Sequence, residues 1–340
     1  MNNINTYLSK LRSKTTSEIL SLIFKKIYFN FRYWLNDLYY LLNKLLPIKK
    51  DLIVFSSEGD YCDNSWALYN YIRKEYPKYI CVWLTIKNKK YNNDSKTLFF
   101  QKDSLKAYRS LAIAKYIFST HGMSQILSPR KSQLVLNLWH GIGGKAPKGG
   151  VKEHHNIPNY NYLIYMGPKN RVTHAIGVGC PERYMTLLGY PRNDLLLDNK
   201  GYGYQNPFAP EGFSGKLIIW MPTFRKSINK SLSEDIETST GLPLMDTVDD
   251  IKSLNDLFMD FLNVENVIIM VKIHHLQAEE PIFKAKYSNL IFVTDEMIAG
   301  KGLQLYQVVA KTDALLSDYS SIATDYLLMD RPMGFILDDL

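Results

Sequence analysis

Three short clusters carry the residue types of proton transfer and phosphate chemistry. The first is Trp139-His140-Gly141, running on through Gly143 and Gly144 to Lys145 and Lys148, directly after the apolar run QLVLNL. An imidazole titrates near neutrality, so His140 can take a proton from an alcohol. The glycines let a ligand approach the backbone, and Lys145 and Lys148 supply positive charge. A tight turn with a hydrogen-bonded surface histidine is the alternative. The second cluster is VKIHHL at Val271–Leu276, where Lys272 and His274 lie two apart at a strand terminus and point the same way, toward an anion. The third is SDYSSIATDYLLMDRP at Ser317–Pro332. Asp318, Ser320 and Ser321 precede an apolar helical run there, where side chains either cap free N–H groups or face a phosphate. Asp325 and Asp330 read as structural. The pairs His154-His155 and His274-His275 lack the Cys or carboxylate spacing that would complete a metal site.

Side chains of this kind need rigid elements to bring them together. After Pro47, short β-rich runs alternate with helical ones, the pattern of an α/β protein with parallel sheets. Strands are expected at Asp51–Ser56, Ile80–Ile86, Tyr116–Ser119 and Gln133–Leu138, with helices at Ser65–Tyr76 and Leu105–Lys115. A second set follows: strands at Lys216–Met221, Val267–Ile273, Leu290–Val293 and Ala314–Ser317, then a final strand PMGFIL, with helices near Asp250–Leu262, Leu303–Lys311 and Ile322–Leu328. Between the sets, 199–214 is rich in Gly, Pro, Asn and Tyr and reads as a linker. The expected organisation is a basic arm over 1–50, a first Rossmann-like domain over 51–198, the linker, and a second over 215–340. Open parallel sheets bind ligands at the carboxyl ends of their strands, and the three clusters fall at such ends.

At 340 residues the chain is long enough for two domains, and 46% apolar with 22% charged residues excludes global disorder. Cys62, Cys81 and Cys180 form no CxxC pair, which argues against a disulfide framework and for a reducing cytoplasm. The net charge of +8 is concentrated: nine Lys/Arg against Glu18 and Asp37 put +7 in the first 50 residues and leave 32 basic and 31 acidic residues beyond them. Residues 51–340 are therefore nearly neutral, which speaks against nucleic-acid binding, where phosphate contacts dominate. Within the arm, Ile19, Ile23, Phe24, Ile27, Phe31, Trp34, Leu35, Leu38, Leu41, Leu42 and Leu45 recur at helical spacing. Interspersed charges leave no uncharged run of about 18 residues to span a bilayer. The arm reads as an amphipathic helix lying on an anionic membrane surface, with a helical hairpin packed on the core as the alternative.

The order of WHG with a following Gly and Lys, GYPRND at Gly189–Asp194, PTFR at Pro222–Arg225, KIHH and SDYSSIATDYLLMDRP resembles the CDP-glycerol glycerophosphotransferase family, the teichoic-acid primases and polymerases with their ribitol-phosphate relatives. FSSEGDYCDNSWALYNYI at Phe55–Ile72 is similar to the family's entry into its first domain. The resemblance runs from about Asp51 to the end. It implies a GT-B fold of two Rossmann-like domains facing a cleft, with CDP-glycerol or CDP-ribitol on the C-terminal domain and a lipid-linked glycan or polyol-phosphate acceptor on the other. By the same resemblance His140 is the base, His274 lies at the donor pyrophosphate, Ser320 and Ser321 contact donor phosphate, and Arg192 and Asn193 shape the donor pocket. It implies no tightly bound cofactor, CMP as product, and a place on the cytoplasmic face of a bacterial membrane. A non-catalytic membrane-bound binding protein is the rival from another class. Two family positions differ: the run usually read WHGTPLK is WHGIGGK here, and His275 replaces a proline. Family members also continue for several tens of residues past the position of Leu340, which implies a C-terminal domain incomplete at its end.

Overall fold

Consecutive apolar residues make a strand rather than a half-buried ribbon when both faces of a sheet are covered. In LIVF of β1 (Lys49–Ser56), Leu52 and Val54 enter one core while Ile53 and Phe55 enter another. Alternate side chains of a strand leave opposite faces, so one short run nails the sheet between two layers. The structure is a computed structural model describing residues 31, 34–35, 37–86, 91–121, 129–141, 160–197, 205–223, 242–274 and 281–337.

Seven strands form the first sheet in the order β3-β2-β1-β4-β5-β6-β7, all neighbours parallel. They are β1, β2 (Ile80–Thr85), β3 (Thr97–Gln101), β4 (Ala114–Ser119), β5 (Leu134–Asn137), β6 (Tyr162–Tyr165) and β7 (Met185–Leu187). The second sheet has five strands in the order β10-β9-β8-β11-β12, also parallel. These are β8 (Lys216–Met221), β9 (Val267–Lys272), β10 (Leu290–Val293), β11 (Ala314–Ser317) and β12 (Met333–Phe335). Its strands also feed two cores: Leu217, Ile219, Ile268 and Met270 on one face, Trp220, Ile269 and Val271 on the other.

The expected α/β class with parallel sheets is what the chain adopts, and the nine expected strands are all present. Three strands were not expected: β3, β6 and β7. β3 and β7 are the sheet's edges, and β7 has three residues, too few for a periodic signal. The helix expected to reach Lys115 stops at Ile113, because Ala114 already pairs with Lys49 as the first residue of β4. The helix expected from Ser65 starts at Asp63, and that expected over Leu303–Lys311 is shorter, Leu305–Val309.

In each sheet the strand order reverses once, between β1 and β4 in the first and between β8 and β11 in the second. Such switch points open a crevice at the carboxyl ends of the strands. The segments leaving β1, β4 and β5, and those leaving β8, β9 and β11, hold the chemistry-bearing residues. Of the arm, 37–43 are helical; Tyr40 and Asn43 are buried, while Phe31, Trp34, Leu35, Leu38, Leu41, Leu42 and Leu45 are exposed. Among the described residues no helix is long and apolar enough to cross a membrane.

Candidate active site

His140 leaves the end of β5 through a constrained turn. Trp139 has φ 50°, and its N–H donates to Asn137 Oδ1 at 2.9 Å, while its carbonyl accepts from Asn64 Nδ2 at 2.9 Å. Gly141 has φ 126°, and a Cβ there would lie 2.8 Å from Ser321 Cβ and 3.1 Å from Arg192 Nη2. Both the backbone conformation and the crowding demand glycine. The turn thus brings the segment after β5 against the DYSS segment after β11, two of the three clusters.

The His140 ring is half-buried, with Nδ1 3.3 Å from the carbonyl oxygen of Thr120. A carbonyl only accepts, so Nδ1 carries the proton and Nε2 of the neutral ring keeps its lone pair. Burial pushes His140 below the ordinary histidine range, against a smaller upward pull from the Thr120 carbonyl. The ring is therefore neutral near pH 7 and able to accept a proton.

Arg192 ties the two sheets together. It is buried, donating from Nη1 to Asp63 Oδ1 at 2.8 Å and from Nη2 to Asp325 Oδ2 at 2.7 Å. Its guanidinium lies over the Tyr306 ring, 4.6 Å from the centroid. Asp325, wholly buried, also accepts from Asn193 Nδ2 at 3.3 Å and from the Tyr306 hydroxyl. The Arg192 backbone N–H donates to Asn64 Oδ1 at 3.1 Å, and Asn64 Nδ2 reaches back to the end of β5. One buried asparagine thus joins the helix Asp63–Glu75, the His140 turn and the Arg192 segment. The expectation of a structural Asp325 holds: it anchors the arginine.

Ser321 precedes the helix Ile322–Tyr326 and its side chain makes no capping bond, so capping does not account for it. Asp318 is occupied otherwise. Its carboxylate accepts from the Thr223 N–H at 2.6 Å, the Thr223 hydroxyl at 2.7 Å and the Ser320 N–H at 3.2 Å. Those bonds lock the ends of β8 and β11 together across the switch point, and a carboxylate so used shapes the loop rather than meeting an anion. Lys272, expected to point toward an anion, has its ammonium already engaged within the protein. It is buried, with Nζ donating to the Ile273 carbonyl at 2.6 Å and paired with Asp295 Oδ1 at 3.0 Å, as a buried ammonium requires. His274 is half-buried just beyond β9. Lys145, Lys148, Arg225, His154, His155 and His275 lie outside the described residues. Among the described residues no group of three or more His, Cys, Asp or Glu is placed to hold a metal.

Four site residues escaped sequence reasoning. Asp63 and Asn64 lie in the Phe55–Ile72 segment without a motif of their own. His174, on the helix Arg171–Val178, is 2% exposed with neither ring nitrogen partnered among the described residues, 5.8 Å from Trp139. His121 leaves β4 and stacks on His140, with ring centroids 3.9 Å apart and planes at 6°. Its signal was visible: His121-Gly122 follows an apolar strand as His140-Gly141 does.

Comparison with known proteins bears on the family and the fold. The chain is 24% identical over 331 residues to the teichoic acid poly(glycerol phosphate) polymerase of Staphylococcus epidermidis, which covers 89% of this chain and 42% of that protein. It is 25% identical over 334 residues to the teichoic acid ribitol-phosphate primase of Bacillus spizizenii, covering 89% of this chain and 77% of that one. The chain spans under half the length of the first curated relatives it matches. A solved structure of the wall teichoic acid polymerase TagF shares the fold, with a TM-score of 0.68 at 20% identity over 99% of this chain and 80% of that one. The family model described as CDP-Glycerol:Poly(glycerophosphate) glycerophosphotransferase matches residues 38–340, and the chain belongs to that family.

Proposed function

We propose that the protein transfers glycerol phosphate from CDP-glycerol to a hydroxyl of a lipid-linked teichoic-acid or capsule-type acceptor, releasing CMP. The observation that carries the reading is the meeting of the His140 turn with Ser321 and Arg192 at Gly141. It sets a neutral imidazole beside a hydroxyl-bearing segment, as a reaction that moves one proton and stabilises one phosphate requires. The two sheets are read as Rossmann-like domains of a GT-B arrangement facing a cleft, 51–198 for the acceptor and 215–340 for the donor, joined by 199–214.

In this mechanism the acceptor hydroxyl attacks the β-phosphorus of CDP-glycerol, and His140 Nε2 takes its proton. That role is worth about 10²- to 10⁴-fold. As the bond from the β-phosphorus to the bridging oxygen breaks, charge grows on the phosphate of the departing CMP. Ser320, Ser321 and His274 stabilise that charge at the strand ends. Arg192 and Asn193 hold the two halves in register, and Lys272, paired with Asp295, fixes the end of β9 beside His274.

A ribitol-phosphate donor is the second reading, because relatives of both kinds match at 24–25% identity. The test supplies CDP-glycerol or CDP-ribitol with a lipid-linked acceptor and follows CMP release. Turnover with CDP-glycerol supports the first reading, turnover with CDP-ribitol alone the second, and binding without turnover of either the non-catalytic rival.

The arm is read as a peripheral anchor on the cytoplasmic face of the membrane, where a lipid-linked acceptor is met. Its exposed leucines and Trp34 support this, since a hairpin packed on the core would bury them. Each Lys or Arg near an anionic leaflet contributes about 1 kcal/mol. Deleting residues 1–46 is expected to release the protein from anionic liposomes and leave CDP-glycerol affinity nearly unchanged. Undiminished co-sedimentation of the shortened chain would overturn the anchor.

A further inference from the structure

The base proposed above has a companion that the phosphate chemistry does not use. Ser119 of β4 pairs with Asn137 of β5, so the segments leaving these neighbouring strands run side by side. Thr120 and His121 therefore meet His140 in two ways. The Thr120 carbonyl lies 3.3 Å from His140 Nδ1, and the His121 ring covers one face of the His140 ring at 3.9 Å. His121 is itself seated: its Nδ1 lies 2.8 Å from Thr120 Oγ1 and its Nε2 3.5 Å from Glu58 Oε2, in the segment leaving β1. Glu58 and His121 thus face each other across the switch point of the first sheet.

Stacked rings this close do not both hold a proton easily, because two like charges then sit face to face. The two rings are not equivalent. His121 has a carboxylate at its outer nitrogen and is about a third exposed, whereas His140 is held by a neutral carbonyl. The other charged and titratable groups that act on His140 are Asp63 and Arg192, already paired with each other, and the neutral buried His174. Among the described residues, Glu58 is the carboxylate within ion-pair distance of a ring nitrogen of the pair, at His121 Nε2.

We propose that His121 is a positioning residue for His140: it fixes the plane of the ring, and it takes the proton that reaches the stacked pair, leaving His140 the neutral acceptor. The proposal rests on the reading of His140 as the base. It deepens that reading by naming what holds the base deprotonated below neutral pH. The burial of His140, which also works against its charge, acts in the same direction.

The test is a ¹³C-histidine NMR titration of the full chain, run beside the pH profile of CMP release from CDP-glycerol. His121→Phe keeps a ring on the stack and removes the charge. The His140 midpoint is expected to rise by about one unit. The acid limb of kcat should move up with it, while KM for CDP-glycerol stays within about twofold. His121→Lys restores a charge and should return the midpoint toward that of the unaltered protein. An unchanged His140 midpoint in His121→Phe overturns the proposal. If His121→Phe does not fold, His121→Lys against His121→Gln carries the comparison: a lower His140 midpoint in the Lys form supports it, and equal midpoints overturn it. A midpoint that moves while the acid limb stays in place, or turnover that survives His140→Ala, removes His140 as base while leaving the ring-to-ring effect intact, so the two failures are told apart.

Discussion

The two switch points of this molecule face the same task with opposite materials. At the first, the segments after β1 and β4 place Glu58 against His121, and His121 against His140, one carboxylate and two imidazoles. At the second, the segments after β8 and β11 are locked by Thr223 and Asp318, and the neighbouring Lys272 is bound to Asp295. Titratable groups gather on one side, fixed charges and hydroxyls on the other. A phosphoryl transfer needs both, since a proton must leave the nucleophile while charge is stabilised on the leaving phosphate. Arg192 holds the two environments together, with one carboxylate from each side on its guanidinium.

The sharpest way to break this comparison is to silence the titratable side. His140→Ala is expected to lower turnover by at least about 100-fold with CDP-glycerol binding nearly unchanged, because a base acts in the transition state. CMP release and calorimetric donor binding measure the two separately. Loss of binding in parallel with turnover would move His140 to the donor side.

Cutting the link between the sides comes next. Asp325→Ala leaves Arg192 Nη2, Asn193 and the Tyr306 hydroxyl without their shared buried acceptor. Breaking a buried pair by removing one partner costs about 3 to 5 kcal/mol. Urea unfolding should show a loss of that order, and Asp325→Asn, which keeps an acceptor, a smaller one.

The titratable side should also be where acid weakens the protein. His174 has no partner for either nitrogen among the described residues, and burial pushes it down to about 4. Its unfolded form takes a proton near pH 6.5 and its folded form does not until about pH 4. Stability is thus fully present above 6.5 and declines as pH falls from 6.5 toward 4, by about 3 kcal/mol in all. His174→Phe should flatten that decline in urea midpoints measured between pH 7 and 4. A slope unchanged by the substitution would place the acid lability elsewhere.

Much of this was legible in the chain, and what was not has a physical cause. β1, β4, β8 and β9 declared themselves because strands covered on both faces are written as unbroken apolar runs. β3 and β7 did not, since an edge strand owes its state to the neighbour it pairs with. His140, Ser320 and Ser321 stood out through their glycine and hydroxyl company. His121 occupies an equivalent strand end, yet its meaning comes from the pairing of Ser119 with Asn137, which no local pattern records. The carboxylate partner of Lys272 was not legible because Asp295 is distant in sequence. The pairing of Val293 with Lys272 brings that carboxylate alongside, two residues beyond the end of β10.

The smallest expected effect tests the fixed side. Ser321 makes no capping bond, and Ser320 is engaged with Asp318 through its backbone N–H, so neither hydroxyl is committed to holding the short helix. Replacing both with alanine should therefore leave the fold intact, which a thermal melt can verify. A hydroxyl aimed at a phosphate contributes to the bound donor as well as to the transition state, because the phosphate is charged in both. Ser320→Ala with Ser321→Ala should raise the Kd for CDP-glycerol about tenfold, the size of one charge-assisted hydrogen bond lost. Turnover at saturating donor should fall less than that. This pattern is the reverse of the one expected for His140→Ala, so the pair of variants separates proton handling from phosphate handling. A double variant that binds CDP-glycerol as the unaltered protein does would remove the hydroxyls from the phosphate site, leaving the His274 strand end to carry the donor contacts.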